Sequence, residues 1–322
     1  MTRKLAVAAL LMLSTVWGGA QMTKDAKHMA PNGKGWGEET PGAPAEQQVT
    51  GFAVTTGNGI NYHGGAVMAG NPVNVYFIWY GNWSQASGSN SAGTVNLINA
   101  LFAPSGGIGG SGYERINSTY GTSTTNVSGN VSTPVTGTSQ VTVGYTNGTR
   151  LSDNTIRTIV SNQISSGALP KDTNGLYFVL TSSDVTATSG FCTQYCGWHT
   201  HATILSSDIK YSFVGNPDRC SSACEAQTTS PNGNSGADGM ASIMAHEAEE
   251  AISDPDLNAW YDSSGAENAD KCAWKFGPTQ TTSSGAHYNQ TFGTHNWLIQ
   301  MNWENGRGGG CDQVLGGTFY TN

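Results

Sequence analysis

A chain of 322 residues has room for one large domain or two modest ones with a full hydrophobic core. A net charge of −8 with no basic cluster argues against nucleic acid and anionic membranes as partners. Charged residues are scarce at 11% while Gly, Ser, Thr and Asn are abundant, a balance common in secreted proteins with long polar loops.

Residues 1–20 begin with Arg3 and Lys4, continue through the apolar run Leu5 to Trp17 and end in Gly18-Gly19-Ala20, the pattern of a signal peptide. The run is shorter than the roughly 20 apolar residues that span a bilayer, and no other stretch approaches that length. The mature chain is therefore expected to be secreted, extracellular or periplasmic, without membrane contact once the signal is cleaved. Residues 21–59 are rich in Lys, Gly, Pro, Glu and Ala with little apolar periodicity, and read as a flexible leader or pro-segment. Residues 60–322 are expected to form one domain.

Val73-Asn-Val-Tyr-Phe-Ile-Trp-Tyr80 is β-branched and aromatic almost throughout, as in a strand buried on both faces. A short helix is expected over Thr94 to Phe102. The glycine-rich stretch Gly106 to Gly112 lacks the Lys of a phosphate-binding loop. Val127 to Val135 and Gln140 to Tyr145 alternate like a surface hairpin. Ile156, Ile159, Val160 and Ile164 place a helix over Ser152 to Ser165 with Ser152 or Asp153 as cap. Leu176 to Thr181 is a second buried strand, His199 to Leu205 an alternating extended segment, and Ile209 to Val214 a further strand.

Export permits disulfides, and six cysteines fall into Cys192-x-x-x-Cys196, Cys220-x-x-x-Cys224 and the separated Cys272 and Cys311. Local bridges within the first two sets and a long-range Cys272–Cys311 bridge are expected. A thiolate zinc site fits less well, because the spacing is three residues instead of two.

The next helix carries the chemistry. Asp238 to Asp254 holds His246-Glu247-x-x-Glu250, with Asp238 expected to cap the first turn and Pro255 to end the helix. His246, Glu247, Glu250 and Asp254 share an arc with Met240, Ile243, Met244 and Ala251. Packing that arc against a core buries an imidazole and carboxylates, which then need a partner. A divalent metal is the simplest one, since His and a carboxylate one turn apart can pinch a single ion. Glu247 would then activate a water, as the Glu of His-Glu-x-x-His does in metalloproteases. Glu250 stands where that motif has His, and a solvated acidic helix is the plain alternative.

The order of strands and helices resembles the zincin metalloprotease scaffold, in which an edge strand beside the active-site helix binds extended peptide. That resemblance implies a third ligand. Glu267, followed three residues on by Asp270, is similar to the third ligand and supporting carboxylate of the thermolysin-like class and ranks first. Asp256 ranks second and His199 third. Calcium is a competing ion, because Asp254, Asp256, Asp262, Glu267 and Asp270 crowd hard oxygen ligands into one short stretch. Serine catalysis has no Gly-x-Ser-x-Gly elbow to support it. His287 and His295 precede an expected strand from Trp297 to Trp303 and could border a cleft. Trp83, Trp198, Trp260 and Tyr261, if exposed, would suit a sugar-binding surface.

Several stretches together resemble the EXORDIUM or phosphate-induced protein 1 family: Tyr62-His63-x-Gly65 through Ile78-Trp-Tyr-Gly81, Val179-Leu-Thr-Ser-Ser-Asp-Val185, Gly190-Phe-Cys192 with Cys196-Gly-x-His199, Phe213-Val-Gly-Asn216, Pro231-Asn-Gly and Asp238-Gly-Met240. The resemblance covers roughly Tyr62 to Cys311. It implies an extracellular location, cell-wall association in plants, and growth-signalling roles without settled chemistry. With His-Glu-x-x-Glu, Asp254-Pro255, Ala259-Trp-Tyr-Asp262 and Gly265-x-Glu267-x-x-Asp270 together, the chain resembles the bacterial branch of that family.

The expected fold is thus an α/β (α+β), disulfide-stabilised protein with a mixed β-sheet, backing helices and a zincin-like active-site helix. The expected function is zinc-dependent hydrolysis, of peptide bonds first, with His246, Glu250 and Glu267 as ligands and Glu247 as general base. The alternative is a non-catalytic cell-wall or glycan-associated protein with structural Ca²⁺. An extracellular peptide or a cell-wall polymer is the expected partner.

Overall fold

The two apolar runs read as doubly buried strands become the centre of one sheet. The computed structural model describes residues 58–320 and the backbone of a short strand, β1 (Lys27–Met29). The expected signal peptide and most of the expected leader lie outside the described residues. The other strands of the sheet are β2 (Val73–Tyr80), β3 (Val131–Ser132), β4 (Gln140–Val143), β5 (Gly175–Thr181), β6 (Gly197–Ile204) and β7 (Ser207–Gly215). Their spatial order is β1-β6-β7-β5-β2-β3, with β4 also on β2.

The sheet is mixed. β7, β5, β2, β3 and β4 run parallel, whereas β6 pairs antiparallel with β7, and β1 antiparallel with β6. Parallel strands need cover on both faces, which is why β2 and β5 carry Val, Ile, Leu and aromatics at successive positions. Phe77, Ile78, Phe178, Val179 and Leu180 are completely buried. Helices α1 (Ala92–Leu101), α2 (Asp153–Ser165) and α3 (Ser235–Ser253) pack around the sheet. The fold is therefore mixed α/β, with one main core. No helix among the described residues is long and apolar enough to cross a membrane.

Several local expectations need correction. The stretches around 127–135 and 140–145 do not form a hairpin; β3 and β4 each lie parallel to β2, burying Val131 and Val143 beside its apolar side chains. α3 starts a turn before Asp238, because Asn234 accepts the Ala237 N–H at 3.1 Å and caps it. Ser235, Gly236 and Ala237 add nothing to the apolar periodicity, so this turn is silent in the sequence. Asp238 instead accepts hydrogen bonds from Ser230 and Asn232. The segment 297–303 is split between His295–Trp297 and Asn302–Glu304. Trp83, Trp198 and Trp260 lie in the core, which removes them from a sugar platform; hydrophobic burial and partnered indole N–H groups, as for Trp83 and Trp260, explain their place.

The three disulfides are Cys192–Cys220, Cys196–Cys224 and Cys272–Cys311. The expected local pairs 192–196 and 220–224 are replaced by two parallel cross-links between segments. Ser221–Cys224 is a single helical turn flanked by Cys220, so the i and i+4 sulfurs share one side and both face the neighbouring loop. Cys196 directly precedes β6, and Cys272 follows the loop after α3. The bridges thus fix the two segments that converge on the helix bearing His246.

Candidate metal centre

α3 is buried along almost its whole length, and its sequence explains how. Ala, Met and Ile, with small Gly and Ser, fill most positions and suit a helix enclosed on all sides. Yet His246 is only 1% exposed, and Glu247, Glu249 and Glu250 are fully buried. At about 100° per residue the acidic groups divide between two directions. His246, Glu247 and Glu250 face β6 and the loop after the helix, while Glu249 turns toward Glu114 and Asn302.

The strand β6 approaches α3 closely at Gly197. A Cβ there would meet Ile243 Cγ2 at 2.6 Å and Glu247 Oε1 at 3.0 Å, so a glycine is required. Two residues on, His199 projects from the same face of the strand. Its Nε2 lies 3.1 Å from Glu267 Oε2 and 3.7 Å from Glu250 Oε2, with all three side chains buried.

On the other side of Glu250, Oε1 lies 3.1 Å from His246 Nε2 and accepts the Asp270 backbone N–H at 2.9 Å. His246 Nε2 is also 3.6 Å from Asp270 Oδ1. His246 Nε2 thus points at two carboxylates at once. Donor atoms of His246, Glu250 and Asp270 lie within 4.8 Å of one another, and those of His199, Glu247 and Glu250 do the same. Donors around a tetrahedral ion at about 2.1 Å sit roughly 3.4 Å apart, close to the His246–Glu250 and His246–Asp270 separations.

The electrostatics favour a cation. Glu247, Glu250, Glu267 and Asp270 bring four carboxylates to this region; only Asp270 reaches solvent, with its side chain 21% exposed. Burial pushes Glu250 up to about 7, with the Asp270 charge adding to it and His246 opposing it. Burial disfavours a charged His246, but Glu250, then Asp270 and Glu247, hold the imidazole well above its ordinary range. A proton trapped this way occupies the place a divalent ion would take. Two imidazole nitrogens and several carboxylate oxygens suit zinc or manganese, so the residues fit a metal.

The expected ligands are thus distributed. His246 and Glu250 come together, with Asp270 as the third residue of their set, and Glu267 stands against His199 on the far side of Glu250. Asp256 is elsewhere: it lies 3.4 Å from Lys210 Nζ and 3.7 Å from His201 Nδ1, in a group completed by Asp208, where the lysine already supplies the positive charge. The carboxylates considered for calcium also separate. Asp254 Oδ1 accepts the Asn258 and Ala259 N–H groups, and Asp262 bonds the turn at Ser264 and Ala266 and pairs with Lys271. His287 and His295 lie on short hairpins and belong to neither set.

Sequence patterning missed Glu249 and Glu114. Burial pushes Glu114 up to about 7, and burial with the Glu114 charge raises Glu249 well above the carboxylate range. The only available signal was Glu249 itself, one acid too many for a single helix face.

Residues 60–307 match the family model described as the phosphate-induced protein 1 conserved region. The chain is similar to protein EXORDIUM-like 5 of Arabidopsis thaliana, 34% identical over 221 residues that cover 63% of this chain and 59% of that protein. It is also 30% identical over 276 residues to protein EXORDIUM-like 3 of the same plant, covering 76% of this chain and 80% of that one. The match therefore spans less than two thirds of the first relative's length. No solved structure matches the chain.

Proposed function

The chain belongs to the phosphate-induced protein 1 family, and from that premise we propose that it is a secreted, divalent-metal-dependent hydrolase of peptide bonds, from a bacterial branch with a zincin-like His-Glu-x-x-Glu helix. The observation that carries this reading is the convergence of His246 and Glu250, one turn apart on α3, with Asp270 from the loop that follows. These three would hold the ion, zinc being the first candidate. When bound, the ion supplies a Lewis acid that polarises water and a substrate carbonyl.

The chain's own groups supply the rest. Glu247 is the proton acceptor, because its carboxylate lies beside Glu250 on the same helix face. His199 can return a proton to the leaving group, with Glu267 at 3.1 Å stabilising its imidazolium form. β6 offers an extended backbone on which a peptide can lie, in the way β1 already pairs with it. Anionic Glu250 and Asp270 in place of imidazoles weaken the Lewis acid, so slow turnover is expected.

Elemental analysis and casein hydrolysis by the purified protein test this reading. Glu247→Gln is expected to keep metal and lose turnover by at least a hundredfold, and His246→Ala to lose metal. Unchanged metal and unchanged activity in both variants would remove the proposal.

The second reading is a non-catalytic wall- or glycan-associated protein with a structural metal, calcium included. It is favoured by the closure of the site, since His199, His246, Glu247, Glu250 and Glu267 are all at most 1% exposed. Under that reading chelation lowers the melting temperature and no substrate is turned over.

A further inference from the structure

We infer that β1 is an autoinhibitory strand, filling the length of β6 on which a peptide substrate would lie. This rests on the hydrolase reading above and adds the regulation of that same site. Along one side of β6, Gly197, Trp198 and His199 pair with Val214, Phe213 and Ser212 of β7. Along the other, the same three residues pair with Met29, His28 and Lys27 of β1. Each side of a strand offers a single row of backbone N–H and C=O groups. A peptide therefore adds beside His199 only after β1 has left.

The register separates this role from a plain covering of the sheet edge. β1 meets only the three residues of β6 nearest the proposed centre, and among the described residues no strand lies against that side from Thr200 to Ile204. Gly197, opposite Met29, is where β6 comes so close to α3 that a Cβ would stand 3.0 Å from Glu247 Oε1. His199, opposite Lys27, carries the Nε2 that lies 3.7 Å from Glu250 Oε2. β1 also lies against α3 itself. A strand serving only to blunt the edge would cover the longer open stretch, whereas this one covers the backbone beside the site.

Three residues make a weak strand by themselves. Carried on the same chain, they act at an effective concentration on the order of millimolar, enough to keep a weak pairing occupied. Such an occupant lowers the fraction of molecules open to substrate and leaves the groups on α3 in place. Apparent affinity for substrate falls by that fraction while the chemistry is unchanged. Loss of the β1 pairing thus lowers KM and leaves kcat as it was.

The test uses the full chain with Lys27→Pro and Met29→Pro, because proline cannot donate to the ladder. β1 joins the sheet only at its outer edge, so the substitutions leave the interior strands in place. On casein the variant is expected to show a KM lower by at least about tenfold, with kcat and metal content unchanged. A synthetic peptide covering residues 24–32, at millimolar concentration, is expected to raise the variant's KM again, and the same peptide carrying both prolines to have no effect. If wild type hydrolyses casein and the variant has the same KM, the autoinhibitory role is overturned and the hydrolase reading stands. Loss of metal from the variant would assign β1 to holding the centre together and would also overturn it. If neither protein hydrolyses casein, the hydrolase reading falls and the inference falls with it.

Discussion

His199 Nε2 and Glu267 Oε2 meet at 3.1 Å with both side chains fully buried, joining strand β6 to the loop that follows α3. Removing one member of a buried pair of this kind is costly, because the other keeps a charge that is less well compensated. In metal-free protein, His199→Ala and Glu267→Ala are each expected to lower the unfolding free energy by about 3 kcal/mol. The double variant is expected to lose less than the sum, with a coupling of at least about 1 kcal/mol by urea unfolding. Additive losses would show that the two residues do not support one another.

The β6–β7 hairpin turns through Leu205 and Ser206, both left-handed at φ 47° and 60°, and Leu205 is 51% exposed. Two-residue turns of this type favour Asn-Gly, because side chains other than Asn and Asp fit poorly at positive φ. Replacing Leu205-Ser206 by Asn-Gly is expected to stabilise the protein by about 1 kcal/mol, raising its melting temperature by a few degrees. Since the turn lies at the far end of β6 from Gly197, metal content should not change. A lower melting temperature would mean that Leu205 makes contacts worth more than the strain.

These two elements also mark how far the sequence could be read. β2, β5 and the helix around His246 were legible because their apolar runs or periodicity leave one plausible way to bury them. The His199–Glu267 pair was not, because 68 residues separate the partners and only the docking of β6 on α3 brings them together. Cysteine pairing failed for the same reason: the spacing within Cys192-x-x-x-Cys196 says nothing about which segment lies alongside. Asp256 is a ligand candidate by spacing alone, and Lys210, on β7 and separated from it in sequence by the whole of α3, lies 3.4 Å from it. Asp238 was assigned a cap on composition, but Asn234 sits where the chain enters the helix and Asp238 lies inside the first turn.

Asp238 also gives a pH prediction. Burial pushes its carboxyl up to about 6, against the hydrogen bonds from Ser230 and Asn232. The folded protein therefore binds this proton more tightly than the unfolded chain, whose aspartate titrates at about 3.9. The resulting stability is fully present below about 3.9 and is lost as the pH rises through about 6, a loss approaching about 3 kcal/mol. Glu114 and Asp312, each pushed to about 7 mainly by burial, act with the same sign, so wild type alone does not isolate Asp238. Comparing Asp238→Asn with wild type does. In metal-free protein the variant is expected to gain stability relative to wild type between pH 4.5 and 7.5, and a difference independent of pH would contradict the assignment.

The last prediction concerns β1, which pairs antiparallel with the first half of β6 in the register Lys27 to His199, His28 to Trp198 and Met29 to Gly197. β6 is otherwise the edge of the sheet, and an edge next to a binding site is where an extended chain adds as a further strand. β1 in that place shields the backbone groups a peptide would use, within two residues of the close approach to Glu247 at Gly197. Deleting residues 21–57 is expected to speed amide hydrogen exchange in peptides spanning Gly197 to His199, with β5 and β2 unaffected because both are interior strands. A synthetic peptide covering residues 24–32, added in trans, should restore that protection. Exchange at β6 that is indifferent to both the deletion and the peptide would show that β1 does not occupy the edge in solution.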